Sequence, residues 1–203
     1  MSSFPYPCVV FDLGGVLLHY RPKQFLGSLF PPGKAEALYR LVFESAEWKQ
    51  LDLGTMGILE AFAEWKARSP ALVGELSVMQ QNWLSMLQPI TENVQMLPRL
   101  QQAGVKVYGL SNFHREAFSV VRNLYPFFSH FDHILVSSHV HLAKPDPRIF
   151  RLFLQQTGQQ PEDCPFFDDG AQNVHVAREL GFPAFLVPNG KQIALLAQHF
   201  LET

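Results

Sequence analysis

The side chains here that could do chemistry stand where apolar runs stop. Asp12 ends the run Val9-Val10-Phe11 and leads into Leu13-Gly14-Gly15-Val16. A carboxylate at the carboxyl end of a buried strand can serve as a nucleophile or a metal ligand, since ligands of open α/β sheets bind at that end. Gly14 and Gly15 permit a sharp turn and let bare backbone approach a ligand. Ser111-Asn112 ends the stretch from Val105 to Leu110, Asp168-Asp169 ends the stretch from Cys164 to Phe167, and Lys144-Pro145 stands just after the stretch from His133 to Val136. Each has an ordinary structural explanation: a cap for Asp12, helix caps for Ser111 and Asn112, a turn for Asp168-Asp169, a surface charge for Lys144. At the ends of different strands of one sheet they would converge on one rim, and every ordinary explanation would then have to hold at once.

The elements that must position them follow from hydrophobic period. Continuous apolar runs read as strands covered on both faces, and helical patterns between them imply right-handed crossovers and a parallel sheet. The expected strands are the Asp12 run, Val105 to Leu110, His133 to Val136, Cys164 to Phe167 and Ala184 to Val187. This predicts an α/β fold: a doubly wound, Rossmann-like, parallel five-stranded sheet, with a last helix over Gln192 to Phe200. Between the first and second strands the strand signal disappears. A helix is expected from Ala35 to Lys49, broken at Asp52-Leu53-Gly54. A second is expected to be capped by Thr55, and a third to start at Ser69-Pro70. From Thr91 a helical face with a bend or restart near Pro98 leads back to the sheet. The division is therefore a core of residues 1–18 and 90–203 and an inserted helical-bundle cap of residues 19–89, with a lid hinge expected where the two join.

All three tryptophans, Trp48, Trp65 and Trp83, fall in this insert. Trp65 and Trp83 lie on apolar stripes and read as its core. Trp48, beside the turn from Leu51 to Gly54, reads as a residue that could face the site, and Asp52 shares that cap edge.

Composition narrows the function classes. A chain of 203 residues with 47% apolar residues can bury one sizeable core, and a formal charge of -2 with no basic stripe gives no footprint for nucleic acid or an anionic membrane. No segment reaches the roughly 18 apolar residues of a membrane span, and Met1 to Pro7 lacks the features of a signal peptide. The expectation is a soluble cytoplasmic protein acting on a small molecule, with no nucleic-acid or membrane partner; oligomeric state is open. The two cysteines, Cys8 and Cys164, each stand four residues before an aspartate, which puts them at one level of neighbouring strands as thiols. His139 and His141 could be a metal pair, but no third ligand is near in sequence, and ordinary surface histidines fit better.

The order Asp12-Leu13-Gly14-Gly15-Val16, Leu110-Ser111-Asn112, Lys144-Pro145-Asp146, Phe167-Asp168-Asp169 with Asn173 resembles the haloacid dehalogenase superfamily of hydrolases. The likeness spans nearly the whole chain. An insert directly after the first motif resembles the small helical (C1-type) cap. The Leu-Gly-Gly form of the motif looks most like the sugar-1-phosphate phosphatase branch and, more distantly, the amino-terminal phosphatase domain of soluble epoxide hydrolases.

The resemblance implies a Mg²⁺-dependent phosphatase of a small phosphorylated metabolite, such as a sugar phosphate. Asp12 would attack phosphorus and form an aspartyl-phosphate. Ser111 would hydrogen-bond the phosphoryl group, and backbone N–H groups of Leu13, Gly14 and Asn112 would cradle it. Lys144 would balance charge. Mg²⁺ would be held by Asp12, the Gly14 carbonyl and Asp169, with Asp168 and Asn173 in support. The sequence departs from the family at one point. Most phosphatases of this superfamily carry a second aspartate two residues after the nucleophile, as general acid and base; here that position is Gly14. The proton must come from a water, from a cap residue such as His19, or not at all, and without it the rate should depend steeply on leaving-group acidity. Two alternatives stand beside this reading: a metal-free dehalogenase using Asp12 on a carbon–halogen bond, and a catalytically weak binding or regulatory homologue.

Overall fold

The computed structural model describes residues 5–188 and Ile193. Its five strands are β1 (Cys8–Phe11), β2 (Lys106–Ser111), β3 (His133–Val136), β4 (Phe166–Asp168) and β5 (Ala184–Leu186). All pairings are parallel, in the order β3-β2-β1-β4-β5. β1 is buried throughout, and its side chains alternate between two cores. Val9 and Phe11 pack into one cluster with Val107 and Phe167, while Cys8 and Val10 pack into another with Tyr108 and Phe166. A strand covered on both faces must be apolar at every position, which is why the run reads as continuous. From β1 the chain crosses to β2 and β3 on one side, then returns to β4 and β5 on the other. β1 is thus the point where strand order reverses, and crevices at such points are where open sheets bind ligands. Cys8 and Cys164 are buried and bring their sulfurs 2.9 Å apart.

Between β1 and β2 the chain is helical, with helices at Pro22–Leu29, Pro32–Val42, Ala46–Leu53, Ile58–Arg68 and Val73–Asn82. Their buried residues, including Phe25, Phe62 and Trp65, join the same cluster as Phe11 and Phe167, so this layer shares one core with a face of the sheet. The crossings into and out of it lie side by side: His19 N–H donates to the Gln88 carbonyl and Ile90 N–H to the Leu17 carbonyl, each at 2.8 Å. Asn93 ties the returning chain down through a 2.6 Å hydrogen bond to the Val16 carbonyl.

Several boundaries differ from expectation, each for a local reason. The helix expected from Ala35 to Lys49 is two helices. Ser45 parts them, its hydroxyl donating to the Val42 carbonyl at 2.7 Å and accepting from the Trp48 N–H at 3.2 Å. The second of these runs through Asp52 and is closed by Gly54, a left-handed cap with φ 66°. Thr55 caps nothing, because its hydroxyl is turned back to the Gln50 carbonyl, and the next helix starts after Gly57. Ser69 makes no capping bond. Pro70–Leu72 forms a single 3₁₀ turn before the helix proper. Near Pro98 the chain restarts as expected, with helices at Thr91–Val94 and Leu97–Gln102. The helix expected over Gln192 to Phe200 lies outside the described residues.

Candidate active site

The strand-end clusters meet at the carboxyl end of β1. Lys144 is buried, and its ammonium stands 3.0 Å from Asp12 Oδ1 and 2.6 Å from Asp168 Oδ2, while also donating to the Leu110 carbonyl at 2.7 Å. Burial disfavours its charge, but Asp12 and Asp168 reverse that and hold it protonated. Asn112 fixes the lysine's backbone on both sides. Its amide donates to the Lys144 carbonyl and its oxygen accepts from the Lys144 N–H, both at 2.8 Å. Asp168 is fully engaged: Oδ2 accepts from Lys144, and Oδ1 from the Gly170 N–H at 2.7 Å and the Asn173 amide at 2.9 Å. The Ser111 side chain works against the upward push on the Asp12 carboxyl, and its hydroxyl lies 3.5 Å from the Asn112 carbonyl. Leu13 N–H donates to Asp12 Oδ1 at 2.7 Å, so this N–H orients the carboxylate rather than standing free for a phosphate.

The second glycine of the motif has a definite task. Gly15 has φ 74°, and a Cβ there would collide with the Asp169 carboxylate. Asp169 can thus approach β1 only because residue 15 carries no side chain. Gly14 has ordinary space, with Tyr20 Cβ 3.6 Å from where its own Cβ would be.

Asp12, Asp168 and Asp169 bring carboxylate oxygens within 4.8 Å of one another, the one such group of potential metal ligands among the described residues. Burial, opposed by Lys144 and reinforced by Asp168 and Asp169, pushes the Asp12 carboxyl up. Burial and Asp168 push Asp169 up as well. Three carboxylates around one ammonium are short of positive charge. A hard divalent cation, which takes oxygen ligands, fits that deficit.

Above this rim is a cavity of about 160 Å³. The sheet side contributes Asp12, Gly14, Asn112 and Asp169; the helical layer contributes Tyr20, Trp48, Asp52, Trp83, Met86 and Leu87; and Phe113, His114 and Ala117 follow β2. Trp48 and Asp52 therefore face the Asp12 cavity. Trp83, expected as core alone, is also part of its wall, and Trp65 stands behind, stacked on Trp48 at 6.4 Å. His19 is not in this cavity. It lines a neighbouring recess with Gly15, Tyr20, Arg21 and Asp169, of which Tyr20 and Asp169 also line the first cavity. The end of the Ala46–Leu53 helix is tied to the segment after β3: Ser137 Oγ donates to the Asp52 carbonyl at 2.5 Å, and His141 Nδ1 lies 2.8 Å from the Leu53 carbonyl.

His114 is the member that motif reading missed. It is 3% exposed, its Nε2 lies 3.4 Å from Asp52 Oδ1, and its ring packs edge-on against Trp48 at 4.4 Å. Burial pushes it down to about 3, so the imidazole is neutral near neutral pH. Asp52 is pushed up to about 7, by burial and by Asp12 against the attraction of Lys144. The sequence signal for His114 was its place just beyond Ser111-Asn112, on the rim loop that every β2 end must form.

Known proteins share this architecture. D-ribitol-5-phosphate phosphatase of Bacteroides thetaiotaomicron is 26% identical over 90% of this chain and 92% of its own length. Acyl-CoA dehydrogenase family member 10 of Mus musculus is 29% identical over 87% of this chain but only 17% of its own length; the chain spans under a fifth of the length of some curated relatives it matches. Among solved structures, the HAD family enzyme bt-2542 of Bacteroides thetaiotaomicron, in complex with magnesium and inorganic phosphate, superposes with a TM-score of 0.72 at 23% identity, over 94% of this chain and 98% of that one. A family model for haloacid dehalogenase-like hydrolase matches residues 6–181; with that match over most of its length, the chain belongs to the haloacid dehalogenase-like hydrolases.

Proposed function

We propose that this hydrolase is a Mg²⁺-dependent phosphatase of small phosphate monoesters, working through an aspartyl-phosphate on Asp12. The observation that carries the reading is the cluster itself: a carboxylate oriented by the Leu13 N–H, held 3.0 Å from a buried ammonium, and open to a cavity. In the first step an Asp12 oxygen bonds to phosphorus as the bond to the ester oxygen breaks. In the second, water displaces Asp12 and phosphate is released. Lys144 offsets charge on Asp12 and the phosphoryl group, and Ser111 donates to a phosphoryl oxygen. Backbone N–H groups of Gly14 and Asn112 face the remaining oxygens. Mg²⁺, held by Asp12, Asp169 and the Gly14 carbonyl, supplies the positive charge that lets a carboxylate approach a phosphate dianion. Asp168, with both oxygens already engaged, acts by holding Lys144 in place.

Residues 19–89 act as the cap that walls in the leaving group, in a protein with no helix, among the described residues, long and apolar enough to cross a membrane. The ribitol-phosphatase relative supports a sugar or polyol phosphate as the first substrate class to test. A dehalogenase reading is disfavoured by the three clustered carboxylates, which suit a hard cation better than a halide. The test is a panel of sugar, polyol, aryl and prenyl phosphates and a 2-haloacid, each with and without Mg²⁺. Phosphate release should require Mg²⁺ and should vanish in Asp12→Asn with the fold retained. Phosphatase activity in that variant, or halide release in the presence of chelator, overturns the proposal.

A further inference from the structure

We propose that Asp52, from the helical layer, is the proton donor and acceptor for the leaving-group oxygen, in the role that Gly14 leaves vacant. This inference rests on the phosphatase reading above. The argument is one of place. The ionisable side chains lining the cavity are Asp12, Asp169, Tyr20, Asp52 and His114. Asp12 is the nucleophile and Asp169 belongs to the cation cluster. Tyr20 is a poor donor, its hydroxyl pushed well above the usual phenol range, chiefly by burial. His114 is neutral and gives up no imidazolium proton. Asp52 is left: it comes from the helical layer, Asp12 comes from the end of β1, and the two line one cavity.

Asp52 is also held as a catalytic group must be. It sits in the last turn of the Ala46–Leu53 helix, whose end is docked on the segment after β3 through the bonds from Ser137 and His141. Gly54 brings bare backbone against the Ser138 carbonyl, where a Cβ would collide, and Arg115 holds that same carbonyl at 2.8 Å. His114 Nε2 lies 3.4 Å from Asp52 Oδ1. Burial, the main cause of its upward shift to about 7, leaves Asp52 able both to give and to take a proton near neutral pH.

The chemistry balances. As Asp12 bonds to phosphorus, the ester P–O bond breaks and its electron pair goes to the leaving oxygen, which takes the Asp52 proton and departs as the alcohol. Water then bonds to phosphorus and gives a proton to the Asp52 carboxylate while the P–O bond to Asp12 breaks. Asp12 and protonated Asp52 are both restored.

The experiment is a series of aryl and primary alkyl phosphates of graded leaving-group pKa, hydrolysed by the full chain with Mg²⁺. kcat/KM reports steps up to the aspartyl-phosphate. For the wild type, log kcat/KM should fall only shallowly as leaving-group pKa rises. In Asp52→Asn the slope should steepen. Alkyl phosphates should lose about 10²- to 10⁴-fold, the range for a general acid, while 2,4-dinitrophenyl phosphate, which needs no proton, should keep its kcat/KM and lose kcat because water loses its base. Gly14→Asp added to Asp52→Asn should make the slope shallow again, since a Cβ at residue 14 meets only the Tyr20 side chain, at 3.6 Å. A variant that loses the same factor on every ester, or none on any, overturns the inference. A steep slope in the wild type does so without any variant. In both cases the phosphatase reading stands; only if no phosphate ester is hydrolysed does that reading fall, and this inference with it.

Discussion

Asp12 and Asp52 line one cavity from different layers, and they are held there in different ways. Around Asp12 nearly every partner is charged or is backbone: the Lys144 ammonium, the Leu13 N–H, and Asp168 behind them with no free oxygen. Asp52 is placed by the docking of a helix end, with its own carboxyl touching one neutral imidazole. The first arrangement is a network in which no member can be dropped. The second is a group carried by a frame, and the frame tolerates changes to the group.

Breaking the network should have the largest effect. Lys144→Met leaves Asp12 and Asp168 buried without their cation and should cost about 3–5 kcal/mol by thermal or denaturant unfolding, along with activity. Asp52→Asn should change stability by about 1 kcal/mol or less, and an equal loss in the two variants would break the comparison. Next comes the frame. Gly54→Ala forces a side chain into a left-handed position against the Ser138 carbonyl, so a loss of about 1–3 kcal/mol is expected, with leaving-group discrimination altered and Asp12 chemistry intact. Trp48→Phe trims the wall of the cavity. It should shift the ratio of kcat/KM between large and small leaving groups about tenfold, while a ratio left unchanged would take Trp48 out of specificity.

The smallest expected effect is a control away from the cavity. The Arg68 hydrogen bond leads the causes that hold Glu47 down at about 2, from an ordinary 4.5, with Trp65 Nε1 adding a bond at 3.2 Å. A folded-state value below the unfolded one means stability present above pH 4.5 and lost as pH falls through 2. Glu47→Gln should therefore be less stable by about 1 kcal/mol at neutral pH, given that Arg68 is half exposed. The gap should close on acidification over that window, with kinetics unmoved.

The same contrast explains what the sequence revealed. The sheet was legible because its strands are short apolar runs, and β1, β2 and β4 run into a polar residue that has nowhere to go but the rim. So Asp12, Ser111, Lys144 and Asp168 could be brought together on paper. The break at Ser45 was not legible, since a serine inside a helical period reads equally as a solvated position or as a cap. Trp83 was placed on an apolar stripe without any sign that the stripe's end forms a cavity wall. His19 is near the motif in sequence, but its backbone pairs with Gln88 and its side chain lines the recess beside the cavity rather than the cavity itself. The approach of Asp52 to His114 depends on how one helix end docks after β3, a tertiary choice that no local pattern encodes.

The paired crossings at Leu17–His19 and Gln88–Ile90 bear on how such a chain can be re-engineered. Departure and return are hydrogen-bonded at one point, and Asn93 anchors the return to the loop after Asp12. A helical segment of another length or sequence could therefore be grafted between these two positions without moving β1 in its register. Because Asp52 lies inside the exchanged piece and Asp12 outside it, such a graft would replace the wall and the proposed proton source together, while Asp12 stayed with its lysine.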